Sequence, residues 1–199
     1  TTKLWNSDHG YDNTIKAVQR SFERLGLDYI DLYLIHWPVE NLRLESWRAL
    51  EELYNNGLCK SIGVSNFMER HLEELLNHSS IIPVVNQVEF SPFLYLKELL
   101  NYCEFKGIAL ESYSPLTKGH KLKDSKLIEI ANKYNKSTSQ ILIRWCLQKG
   151  VIVIPKSSQK QHIKENANVF DFNISEADMN KLDNLNENYH SSWDPTNVL

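Results

Sequence analysis

The chain has 199 residues, 42% hydrophobic and 24% charged, which is ordinary globular composition, long enough for one substantial core, so that 1–199 is expected to be a single domain. A formal net charge of −3, with both signs interspersed, argues against a nucleic-acid partner. No stretch approaches the roughly 18 uninterrupted apolar residues that a membrane span needs.

The first five residues, Thr1-Thr2-Lys3-Leu4-Trp5, read as a strand stub, with neither an initiator Met nor a basic-then-apolar leader. Thr14–Leu25 follows with Ile15, Val18, Phe22 and Leu25 on one helical face, and Asn13 is placed to cap it. Tyr29–Ile35 is a near-continuous apolar run, as a strand covered on both faces should be. Leu44–Asn55 returns to helical spacing, with Gly57 as its stop. Strand runs at Ser61–Val64, Val84–Val88, Ile108–Leu110 and Val151–Ile154 then alternate with helical patterns. The helical patterns are His71–Leu76, Leu94–Phe105, Ser125–Tyr134, Ser137–Gln148 and a last one at Ser175–Leu185. Ser175 and Asp178 are spaced like a capping box. Cys59, Cys103 and Cys146 are far apart and have no metal-ligand spacing, so they read as reduced thiols of a cytoplasmic protein.

Strand followed by helix, repeated, argues an α/β fold with a parallel sheet. No GxGxxG follows any strand, which counts against a doubly wound dinucleotide-binding fold. A (β/α)8 TIM barrel is the better candidate, and at about 31 residues per unit this chain holds a little over six units. The expectation is a partial barrel lacking its first two βα units.

Polar groups end five strands in succession: His36-Trp37-Pro38, Ser65-Asn66, Asn86-Gln87-Val88-Glu89, Ser112-Tyr113-Ser114-Pro115 and Pro155-Lys156-Ser157-Ser158. In a barrel, strand carboxyl ends converge on one mouth. Alternation puts Ile30, Leu32, Leu34 and His36 on one face, so an apolar interior face turns polar at His36. A neutral imidazole there can donate to a carbonyl oxygen, whereas a hydrogen-bonded core His is the plain alternative. Lys3 could lower the pKa of a neighbouring acid, or be a solvated terminal Lys. Lys156, beside Ser157 and Ser158, suits either a phosphate site or a capping turn.

The ordered stretches TTKLW, LGLDYIDLYLIHWP, KSIGVSNF, VVNQVEFSPF, ESYSPL, VIVIPKS and KENANVFDF, with SSWDP near the carboxyl end, resemble the aldo-keto reductases across the whole chain. The resemblance implies a TIM barrel that reduces aldehydes or ketones by hydride transfer from a nicotinamide. It implies an Asp-Tyr-Lys-His catalytic set, of which Lys3 and His36 are present, while the Asp and Tyr match sequence ahead of Thr1. The 199-residue chain alone is therefore expected to be inactive, and a non-catalytic nucleotide-binding or truncated relative is the alternative.

Carried over residue by residue, Ser65, Asn66 and Gln87 meet the nicotinamide carboxamide, and Tyr113 stacks on its ring. Ser114 and Leu116 lie along the pyrophosphate, Lys156 and Ser157 approach the 2′-phosphate, and Glu165 and Asn166 meet the adenine. His162 stands where many members carry Arg, so the implied cofactor is NADP(H), with NAD(H) left open. Trp5 and Trp37 match substrate-pocket walls. The resemblance further implies a small-molecule carbonyl partner, no membrane and, at full length, a monomer.

Overall fold

The structure is a computed structural model that describes residues 1–199. Six strands and eight α-helices follow one another along it, strand then helix up to the fifth strand and with helices in pairs after the fifth and sixth, and every strand pairing described below is parallel, as expected of the α/β class. The chain divides into two compact units. The first comprises Thr1–Gln87, Leu99–Ala109 and Asp194–Leu199; the second comprises Val88–Glu98 and Leu110–Trp193.

In the first unit, β1 (Thr2–Leu4), β2 (Tyr33–Ile35), β3 (Ile62–Ser65) and β4 (Val85–Glu89, through Gln87) lie side by side in chain order. Leu4 is in register with Ile35, Ile35 with Val64, and Ser65 with Gln87, so the carboxyl ends of β1, β2 and β3 fall within one residue of one another, with Gln87 beside the last of them. All residues of β2 and β3 are buried, which is why the sequence reads as apolar runs rather than alternation. The strands are shorter than their apolar runs. Ile30 forms only an isolated bridge with Cys59, and the ladder starts at Tyr33.

α1 (Tyr11–Leu25) buries Thr14, Ala17, Val18 and Phe22, the spacing of one helical face. It ends at Gly26, whose φ of 63° is left-handed and whose amide bonds the Phe22 carbonyl at 2.8 Å. The expected Asn13 cap is wrong. Gly10 is the N-cap residue, and Asn13 sits inside the first turn with Nδ2 donating to the His9 carbonyl at 3.1 Å. The reason is Ser46 of α2 (Arg43–Asn55), whose hydroxyl accepts the Gly10 amide at 3.0 Å and draws the helix start earlier. α3 (Glu69–His78) extends the expected helix at both ends.

In the second unit, β5 (Ala109–Tyr113, from Leu110) pairs with β6 (Ile152–Val153). α4 (Lys97–Phe105, which passes into the first unit at Leu99) begins later than its pattern suggests, because Ser91 Oγ accepts the amides of Phe93 and Leu94 and holds them in a turn. α5 (Ser125–Tyr134) runs as expected, and α6 (Thr138–Gln148) carries a true capping box between Ser137 and Gln140. α7 (Lys160–Ala167) has no counterpart among the expected helices.

α8 (Glu176–Asp183) has only half of its anticipated box. Ser175 Oγ accepts the Asp178 amide at 3.3 Å, but the Ser175 amide donates to the Tyr134 hydroxyl at 2.8 Å, and the Asp178 carboxylate accepts from Lys133 at 2.5 Å, Tyr134 at 2.8 Å and the Ser175 hydroxyl at 2.9 Å. The core of this unit is Trp145, stacked on Phe90 at 5.2 Å and met edge-on by Tyr95 at 5.1 Å, with its indole N–H on Asp183 at 2.8 Å. All three cysteines are buried and unbridged, and burial pushes Cys59 and Cys103 up to about 11 and Cys146 up to about 12, so none is a ready nucleophile.

Two tests follow from this packing. A Cβ at Gly63 would lie 2.7 Å from the Val85 carbonyl oxygen and 2.8 Å from Leu34 Cδ2 and Val85 Cγ1. Gly63→Ala should therefore destabilise by about 1–3 kcal/mol in urea unfolding, because backbone as well as side chain must shift. An unchanged midpoint would show that β3 and β4 can spread at no cost.

His9 is buried with Nδ1 3.0 Å from Ser46 Oγ, and burial lowers its pKa from 6.5 to about 4 against the opposing pull of Asp8 and the Trp37 backbone. Below pH 6.5 the unfolded chain takes a proton that the native site refuses. Stability is complete above that value and should fall by on the order of 3 kcal/mol as pH drops through the window to about 4. His9→Gln should flatten that part of the pH–stability curve, and an unchanged slope would contradict it.

Candidate functional site

The candidate residues of the first unit collect at the carboxyl ends of its strands. His36 directly follows β2, and its amide donates to the Leu4 carbonyl at 3.2 Å, which ties it to the end of β1. Its ring lies 4.9 Å from that of Trp5, tilted by 34°. The Asn66 side chain donates to the His36 carbonyl at 2.9 Å and to Ser65 Oγ at 3.1 Å. Ser65 Oγ and the Asn66 amide both donate to the Gln87 carbonyl, at 2.7 and 2.9 Å. One chain of hydrogen bonds thus links His36, Asn66, Ser65 and Gln87 across three strand ends. The φ of 64° at Asn66 makes this possible, since Asn tolerates the left-handed region.

Electrostatics favour a neutral His36. Burial lowers its pKa, and the Lys3 ammonium lowers it further. Its Nδ1 is buried without a hydrogen-bond partner. A neutral imidazole can donate one hydrogen bond to an acceptor such as a carbonyl oxygen. Trp5 is 50% exposed and Trp37 is partly buried, so both retain apolar surface at these strand ends.

The second unit holds a cavity of ≈ 610 Å³. Of the candidate residues, Ser114, Leu116, Lys156, Ser157, His162, Glu165 and Asn166 line it. The last three lie on α7 at positions i, i+3 and i+4, one face of the helix. Gln140 of α6 pins the carboxyl end of α7 by donating to the carbonyls of Glu165 at 3.3 Å and Asn168 at 2.8 Å. Lys156 and Ser157 lead from β6 into α7, with Ser157 Oγ accepting the Gln159 amide at 3.1 Å. Tyr113 closes β5 immediately before Ser114. Burial and the Glu89 carboxylate raise its pKa well above the ordinary phenol value, so it stays a neutral ring.

Pro115, already read as part of a strand end, adds to the lining, and sequence reasoning missed Lys118, Gly119, Leu122, Ser139 and Ile154, which complete it. Gly119, with φ of 87°, was the one visible signal that the chain turns sharply there. Nothing in the residue types announces the positive φ of Ser114, Thr117 and Lys118, at 49°, 51° and 52°. Such conformations cost about 1–3 kcal/mol each and persist only where neighbours hold them. Thr117 is held by its own hydroxyl, which donates to the Leu116 carbonyl and accepts the Lys121 amide at 3.1 Å. Lys118 and Lys156 bring two cations to a cavity with one carboxylate, Glu165, which suits a long ligand carrying phosphates.

Residues 1–187 match the family model described as the aldo/keto reductase family. The chain is 54% identical to the uncharacterized oxidoreductase YtbE of Bacillus subtilis, covering 99% of this chain and 70% of that protein. It is 51% identical to the glyoxal reductase of Bacillus subtilis, over 100% of this chain and 72% of that one. Among solved structures, a mutant of Gox0644 in complex with NADPH superposes with a TM-score of 0.93 at 40% identity, covering 98% of this chain and 74% of that one. On this match in sequence and fold, the chain belongs to the aldo/keto reductase family.

Proposed function

We propose that the protein is an NADP(H)-dependent reductase of small aldehydes and ketones, and that residues 1–199 form part of one (β/α)8 barrel domain. The observation that carries the reading is the single cavity that gathers Lys156, Ser157, His162, Glu165, Asn166, Ser114 and Leu116. A volume of ≈ 610 Å³, two lysines and the face of α7 fit a dinucleotide phosphate. The NADPH complex of the Gox0644 mutant and the glyoxal reductase relative point the same way. His162 is a weaker phosphate partner than Arg, so NAD(H) is a second substrate to test.

Bound in this family's manner, the nicotinamide supplies a hydride. The chain's own residues do the rest. Lys156 and Ser157 hold the 2′-phosphate, Ser114 and Leu116 border the pyrophosphate, and Glu165 and Asn166 meet the adenine. Tyr113 offers a rigid, neutral aromatic face for the nicotinamide, while Ser65, Asn66 and Gln87 orient its carboxamide. His36, held neutral by burial and by Lys3, donates a hydrogen bond to the substrate carbonyl oxygen and polarises it. Trp5 and Trp37 wall the substrate.

The general acid is assigned to a Tyr, partnered by Asp and Lys3, in sequence preceding Thr1. The relatives are longer than this chain, which spans 70% and 72% of the two compared above.

The test is steady-state NADPH oxidation with a panel of simple aldehydes, using full-length protein. His36→Ala should lower kcat by about 100-fold or more while leaving the NADPH dissociation constant within about twofold. Turnover unchanged in that variant would overturn the assigned role of His36. No NADPH oxidation by the wild-type enzyme would overturn the reductase reading.

A further inference from the structure

We infer that residues 186–192 are a strap that holds one wall of the cavity in place, and that Glu89 is the positioning residue that anchors it. The inference rests on the reading of that cavity as the cofactor site. The strap lies beyond α8 and contains neither helix nor strand, so no backbone ladder sets its path. Side chains and the Phe93 carbonyl set it instead.

Glu89, buried at the end of β4, accepts the Ser191 amide at 2.9 Å, the Ser191 hydroxyl, and the Ser192 amide at 3.1 Å. A buried carboxylate is costly to desolvate, and three donors from one segment offset that cost only while the segment stays in place. The Phe93 carbonyl accepts the Glu187 and Tyr189 amides at 3.2 and 3.0 Å, and Asn186 Oδ1 accepts the Tyr95 amide at 3.1 Å.

From this anchor the strap grips the loop 114–122. Lys118 Nζ donates to the Ser191 carbonyl at 2.5 Å, and His120 Nδ1 lies 2.7 Å from the Tyr189 hydroxyl. Lys121 pairs with Glu187 and sits 4.5 Å from the centre of the Tyr189 ring. The gripped loop is the one with left-handed backbone at Ser114, Thr117 and Lys118, three residues that disfavour it. Such a backbone needs outside support to persist. Ser114, Lys118, Gly119 and Leu122 of this loop face the cavity, whereas His120 and Lys121 do not line it. The strap therefore acts on the wall without touching the ligand. Loosening it should speed ligand escape, as gating loops do.

Full-length protein carrying Lys121→Ala and Tyr189→Phe together tests this without altering a lining residue. Hydrogen exchange of amides 116–122 in the ligand-free protein should rise about fivefold to tenfold, and NADPH dissociation in stopped flow should quicken by a similar factor. Single-turnover hydride transfer should stay within about twofold, a separation that general loss of structure would not give. Glu89→Gln, which sets an amide N–H against the Ser191 and Ser192 donors, should produce the same exchange signature. Unchanged exchange in the double variant, or faster exchange with unchanged NADPH dissociation, would overturn the inference. Failure of the wild-type protein to bind NADPH would overturn the cofactor reading instead, while the exchange result in the ligand-free protein would still report on the strap.

Discussion

Parallel strands can be joined only by crossover connections, so within each unit the paired strands run in the same direction and leave through loops at the same end. That constraint explains where the chemistry lies. Between β1 and β4 the strand residues are committed to burial on both faces, with Leu34, Ile35, Ile62 and Val64 fully covered. Polar side chains that face a ligand can then appear only where the ladder stops. His36, Ser65, Asn66 and Gln87 occupy those stops, and the aligned register draws them into one hydrogen-bonded chain. In the second unit the ends of β5 and β6 feed Ser114 and Lys156 into the wall of one cavity by the same rule.

Much of this was legible in the sequence. Apolar runs mark strands buried on both faces, and the residue at which each run turns polar is the residue the fold presents. His36 after Leu34 is the clearest case. The capping signal of Ser137 with Gln140 lies wholly within one turn, and that helix start is as expected. Signals that depend on distant partners misled. Asn13 has the right chemistry for a cap, but Ser46, 36 residues beyond Gly10, decides where α1 begins. Asp178 has the right spacing to close a box, but the Tyr134 hydroxyl takes the Ser175 amide, and Lys133 and Tyr134 share the carboxylate with the Ser175 hydroxyl.

Other features left no local trace. In α7 only Asn166 is buried, so the helix carries no apolar stripe to read; Gln140 and the walls of the cavity account for its placement. The left-handed backbone of Thr117 and Lys118 contradicts residue preference and is visible only once the strap and the Thr117 hydroxyl are in view. Local conflict of this kind concentrates at functional sites, where the surroundings enforce what the sequence alone would avoid. The cavity residues that sequence reading missed belong largely to this loop.

The proposed reductase depends on Lys156 as a phosphate partner within the cavity of the second unit. The direct measurement is a fluorescence titration of full-length protein with NADPH and, separately, with NADH. Lys156→Met should weaken NADPH binding by about tenfold or more while changing NADH binding by less than about twofold, because the lost charge-assisted bond is to the 2′-phosphate that only NADPH carries. Equal losses for both dinucleotides, or none for either, would contradict it.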